Sequence, residues 1–138
     1  MNKKKHNIHL VAVLDTLEYL QRGGRISKTA ALAGTLLSIK PLVSIVDGEV
    51  SSIGNARGLK NAGIQLTKAA KEAGEIDFSL PCGFIYSGNS DELLQKYIND
   101  HKSSWDVLEK NIPIYRIGSA IGTHVGPGAF GLAFFAKE

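Results

Sequence analysis

Residues 42–53 read "LVSIVDGEVSSI", and this stretch decides the fold. Two β-rich runs flank Asp47-Gly48, the pair that best supports a two-residue hairpin turn, because both of its positions must accept positive φ. An antiparallel strand pair is therefore built into a chain whose other elements alternate between strand and helix. Upstream, "IHLVAVL" (8–14) is apolar and β-branched enough for a strand. Asp15 then caps a short helix, with Glu18 completing a capping box and Leu17 and Leu20 on its buried side. Gly23 and Gly24 stop that helix, and Ser27 caps a second one over 28–39, which Pro41 ends.

Downstream, Leu59, Ala62, Leu66, Ala69, Ala70 and Ala73 form one stripe of a helix over 58–73, with Gly74 as its stop. The stripe is mostly alanine, so this helix packs close to a sheet. "CGFIYSG" (82–88) reads as a strand. Asn89 with Glu92 forms another capping box, opening a helix that carries Leu93, Leu94, Tyr97 and Ile98. Trp105 anchors "SSWDVLE", and strands follow at "IPIYRIG" (112–118) and "AFGLAFFA" (129–136). The pattern predicts an α/β (α+β) fold with a mixed, partly antiparallel sheet packed with helices, not a doubly wound parallel sheet.

At 138 residues the chain fits one domain with a real core. The net charge of +3 comes from Lys3, Lys4 and Lys5; without them the 13 remaining basic residues match the 13 acidic ones. A nucleic-acid partner, which calls for basic groups spread over a folded face, is not expected. No run of 18 apolar residues and no secretory h-region occur, and Cys82 stands alone, which fits a reducing cytoplasm. Residues 1–7 read as a disordered basic tail and 8–138 as a single domain.

Two glycine-rich stretches carry the chemistry. "YLQRGGRIS" (19–27) combines arginines, free backbone N–H groups near a helix start and a hydroxyl, which suits a carboxylate or phosphate. A plain C-cap glycine pair beside a surface arginine has the same spacing. "GTHVGPGAFG" (122–131) sets His124 in a tight turn, either as a donor to an anionic head group or as a histidine satisfied by neighbouring backbone. Neither stretch meets the Walker or dinucleotide patterns, no G-x-S-x-G elbow occurs, and no ligand spacing supports a metal at His124. Cys82 reads as a small buried hydrophobe, and Arg57 as a solvated arginine or an anion or partner contact.

With both stretches in view, the chain resembles the C-terminal domain of the DegV family, bacterial fatty-acid-binding proteins that serve fatty acid kinase. The matching residues are "DTLEYLQRGGRIS" (15–27), "LLSIKPLVSIVDGEV" (36–50) and "IGTHVGPGAFGLAF" (121–134), within a pattern running from about residue 8 to residue 137. The resemblance implies a carrier that is not an enzyme and needs no cofactor. It would hold a long-chain fatty acid and present the carboxylate to the kinase, which makes an acyl phosphate. Arg25 and His124 would lie near the carboxylate. Gly23, Gly24, Ser27, Thr123 and Gly126 would form the close-approach loops, and Gly34 and Leu37 would line the tail's tunnel. A buried methylene is worth about 0.8 kcal/mol, so a tail of about sixteen carbons gains about 12 kcal/mol gross and dominates affinity.

The family's N-terminal domain, which adds hydroxyl contacts to the carboxylate, is not part of this sequence. A lone half is expected to expose an apolar face open to self-association. Two other readings stand beside this one. One is an interaction or regulatory domain without ligand; the other is a small acyl- or phosphoryl-transfer enzyme using His124 as general base.

Overall fold

The computed structural model describes residues 8–15, 39–46, 49–118 and 126–137. Strands β1 (Ile8–Val13), β2 (Ile39–Val46) and β3 (Glu49–Arg57) lead into helix α1 (Gly58–Ala73). Strand β4 (Gly83–Tyr86), helix α2 (Glu92–His101), a 3-10 turn (Asp106–Glu109), β5 (Ile114–Arg116) and β6 (Phe130–Phe135) complete the order. All six strands join one sheet in the order β3-β2-β1-β6-β4-β5. Only β4 and β5 run parallel; the other pairs are antiparallel. The sheet is thus mixed and partly antiparallel, as expected.

The hairpin is present, with Val46 paired to Glu49 and a register shift at Leu42/Val43; residues 47 and 48 lie outside the described ones. Upstream, residues 28–38 of the expected helix over 28–39 lie outside the described ones, but its end needs correction. Ile39 opens β2, and Pro41 lies inside that strand opposite Asn55. Leu14 donates its N–H to the Pro41 carbonyl at 2.8 Å. Pro41 has no N–H to return, so the ladder with β1 ends there, the kind of place where a strand tolerates proline.

Helix α1 follows the alanine stripe: Ala62, Gly63, Leu66, Thr67 and Ala70 are buried, and Gly74 (φ +135°) closes the helix through its N–H to the Lys71 carbonyl. Gly63 is glycine for a packing reason, since a Cβ there would run into the His101 ring on α2. Helix α2 starts where expected but is not capped by Asn89. Glu92 donates its backbone N–H to Ser90 Oγ at 3.1 Å, while Asn89 Oδ1 accepts from Arg116 Nη2 at 3.3 Å. The strand read at 112–118 is only three residues long and exposed at the sheet's rim.

One face of the sheet packs Val11, Val13, Leu42, Phe130, Leu132 and Phe134 under α1 and α2, with Trp105 half-buried at the margin. The other face is apolar but built from smaller groups, with Ala12, Leu14, Val43 and Ala129 buried and Leu10, Val50 and Ile117 beside them. Gly131 lies within this region, where a Cβ would meet the Val11 carbonyl and Ala12.

Candidate functional site

Strand polarity places the ends that matter on one edge of the sheet. The registers Val13↔Leu42, Val13↔Phe130, Tyr86↔Phe130 and Tyr86↔Arg116 bring together the C-terminal ends of β1, β4 and β5 and the N-terminal ends of β2 and β6. Ile39↔Arg57 adds the end of β3 and, directly after it, the start of α1. The segments outside the described residues, 16–38 and 119–125, are therefore flanked on this edge by Asp15 and Ile39 and by Gly118 and Gly126.

The described part of this edge is tied together by polar contacts. Lys40 Nζ forms an ion pair with Asp15 Oδ1 at 2.7 Å, the lysine half-buried and the aspartate exposed. Gly128 (φ +86°) lies beside Asp15, where a Cβ would stand in ordinary contact, 3.5 Å from the Asp15 Cβ. Gly126 is buried with φ +75°, and its carbonyl accepts the Ser87 hydroxyl at 2.6 Å. The same Ser87 oxygen accepts the Ala129 N–H at 2.9 Å. Arg57 is exposed, with its carbonyl accepting from Asn61 Nδ2 at 3.0 Å. Glycines with positive φ admit a close approach of backbone.

Of the residues singled out by sequence, Gly126 lies at this edge. Arg25, His124, Gly23, Gly24, Ser27, Gly34, Leu37 and Thr123 lie outside the described residues. Sequence reasoning missed Ser87, and no spacing could have found it, since its two hydroxyl bonds span 39 and 42 residues. Cys82 is half-buried beside the core, and burial pushes its thiol pKa up, away from the reactive thiolate. Among the described residues no group of three or more His, Cys, Asp or Glu could hold a metal ion, and no helix is long and apolar enough to cross a membrane.

A groove of about 620 Å³ lies elsewhere, between α1 and strands β1–β3, lined by His9, Val11, Ile53, Ile64, Lys68 and Glu72. Its lining carries charge of both signs on exposed side chains, whereas the edge carries the residues that flank both motif segments and is the stronger candidate.

Among the described residues, a six-stranded mixed sheet with two helices on one face defines an α/β domain. The chain belongs to the DegV family: the family model described as "Uncharacterised protein, DegV family" matches residues 1–137. A DegV domain-containing protein of Caldanaerobacter subterraneus is 34% identical over 133 residues, covering 92% of this chain and 44% of the relative. The crystal structure of a fatty acid binding DegV family protein from Streptococcus agalactiae is 28% identical, with a TM-score of 0.77 over 99% of this chain and 47% of that one. The Streptococcus pneumoniae Fatty Acid Kinase (Fak) B3 protein, solved loaded with linoleic acid, has a TM-score of 0.80 at 17% identity over 99% of this chain and 47% of that one, and so shares the fold. The chain spans less than half the length of the curated relatives it matches.

Proposed function

We propose that this chain binds a long-chain fatty acid, with the carboxylate at the glycine edge and the tail against the small-residue face of the sheet. It acts as a carrier that presents the carboxylate to a fatty acid kinase, and the part of the relatives that this chain does not match completes the site. What supports the reading is that the described residues flanking both segments, Asp15 and Ile39 on one side and Gly118 and Gly126 on the other, lie on one edge, with Asp15 against Gly128. Arg25 follows Asp15 by ten residues and His124 precedes Gly126 by two, so both belong to segments anchored there. The guanidinium pairs with the carboxylate, and the imidazole donates a second hydrogen bond. The face of the sheet opposite α1 and α2, where the partly buried Leu10, Val50 and Ile117 surround the buried Ala12, Leu14, Val43 and Ala129, has the apolar character a methylene chain needs. The fatty acids bound by relatives of the same fold support this assignment.

Native mass spectrometry followed by organic extraction tests it, on the chain alone and on the chain co-produced with the unmatched part of the Caldanaerobacter relative. A fatty acid is expected in at least one of the two samples. Arg25→Ala and His124→Ala should each weaken its retention about tenfold or more, the worth of one hydrogen bond to a charged group. Retention unchanged in both variants removes them from the site. No lipid in either sample favours an interaction domain without ligand.

A further inference from the structure

We propose that Ser87 is a positioning residue of the fatty-acid site, fixing where the glycine stretch that bears His124 meets the sheet. This rests on the binding function proposed above. Strand β4 ends at Tyr86, yet the next residue continues the contact with β6. Ser87 donates its N–H to the Ala129 carbonyl at 2.9 Å, and its own carbonyl accepts the Gly128 N–H at 3.3 Å. Its hydroxyl donates to the Gly126 carbonyl at 2.6 Å and accepts the Ala129 N–H at 2.9 Å. Ser87, 3% exposed, thus grips the four-residue turn 126–129 through four hydrogen bonds, two from its side chain and two from its backbone.

The turn needs such a grip. Gly126 and Gly128 both have positive φ, at 75° and 86°, with only Pro127 between them. Glycine samples both signs of φ freely, so the turn has many alternatives and loses much entropy when fixed in one. The backbone bonds to Gly128 and Ala129 set the strand register. Only the hydroxyl bonds to Gly126, the residue two positions after His124, so the hydroxyl holds the described end of the turn nearest that histidine. Gly88 (φ +96°) lies beside the same turn, where a Cβ would stand in ordinary contact with Pro127 at 3.4 Å.

The experiment measures the affinities of the wild type, Ser87→Ala and Thr67→Val for a long-chain fatty acid and for the alcohol of equal length. It uses the sample that retains lipid. Thr67 makes a buried 2.7 Å hydrogen bond to Tyr97 under α1, far along the chain from the turn, and serves as the stability control. A residue that only stabilises the fold weakens acid and alcohol alike. A residue that aims the head-group contacts weakens the acid selectively. Ser87→Ala is expected to bind the acid at least tenfold more weakly while changing alcohol binding less than threefold; Thr67→Val is expected to leave the acid-to-alcohol ratio unchanged. Acid binding by Ser87→Ala within twofold of wild type, or an equal loss for acid and alcohol, overturns the positioning role alone. A wild-type protein that binds no fatty acid overturns the underlying function and this role with it.

Discussion

The helix-covered face of the sheet and its glycine edge are held by different forces. Under the helices, large side chains interlock: Phe130 and Phe134 are fully buried with Leu66, Leu94 and Leu132, and the rings of Phe130 and Tyr97 lie 5.7 Å apart. At the edge the contacts are a half-exposed ion pair, a buried serine hydroxyl and two glycines with positive φ. The first region gains its stability from apolar area removed from water; the second gains conformation from a few directed bonds. Substitutions under the helices should therefore move stability before ligand affinity, and substitutions at the edge should do the reverse.

The sharpest break of this contrast is Phe130→Ala. It removes a 2% exposed ring from the helix-covered core, and a cavity of that kind costs about 3–5 kcal/mol. Chemical denaturation should show most of a small domain's stability gone; a loss below about 1 kcal/mol would mean that the helices do not depend on this face. The next effect is set by pH. Burial pushes the Tyr97 hydroxyl from 10.0 up to about 12, with the Thr67 hydrogen bond partly offsetting the rise. A folded-state pKa above the unfolded one gives stability that is complete below pH 10 and is lost as pH climbs through about 12. Two units correspond to about 3 kcal/mol. Unfolding midpoints followed from pH 9 to 12 should fall more steeply in the wild type than in Tyr97→Phe; parallel curves would place Tyr97 in contact with water.

The same contrast explains what could be read from the chain. Helix α1 and its stop at Gly74 were legible because an alanine stripe with a terminal glycine encodes both the buried side and the end. The hairpin was legible because Asp47-Gly48 is local chemistry. Pro41 misled because proline stops helices, yet it also fits a strand at the point where the neighbouring ladder runs out. At the start of α2, Asn89, Ser90 and Asp91 all have capping side chains. A long-range partner, Arg116, takes Asn89 and leaves Ser90 to the helix. At the edge the glycines announced themselves, but Ser87 did not, since its role depends on the pairing of β4 with β6. Periodicity reveals burial; it does not reveal which distant carbonyl a single hydroxyl will find.

The smallest stability effect belongs to Gly128→Ala and gives the finest test of the edge. There is room for the methyl group, since the nearest atom to a new Cβ is the Asp15 Cβ at 3.5 Å. The cost comes instead from φ +86°, where an L-residue is strained by about 1–2 kcal/mol. Relief of that strain by rotating the turn would pull Gly126 away from Ser87 and shift the segment that bears His124. Thermal unfolding should therefore show a modest drop, whereas retention of fatty acid should fall at least as far as in Ser87→Ala. A drop in stability with retention intact would mean that the turn tolerates a new path without disturbing the head group. The edge would then be a second structural region, and the division between a stabilising face and a binding edge would no longer hold.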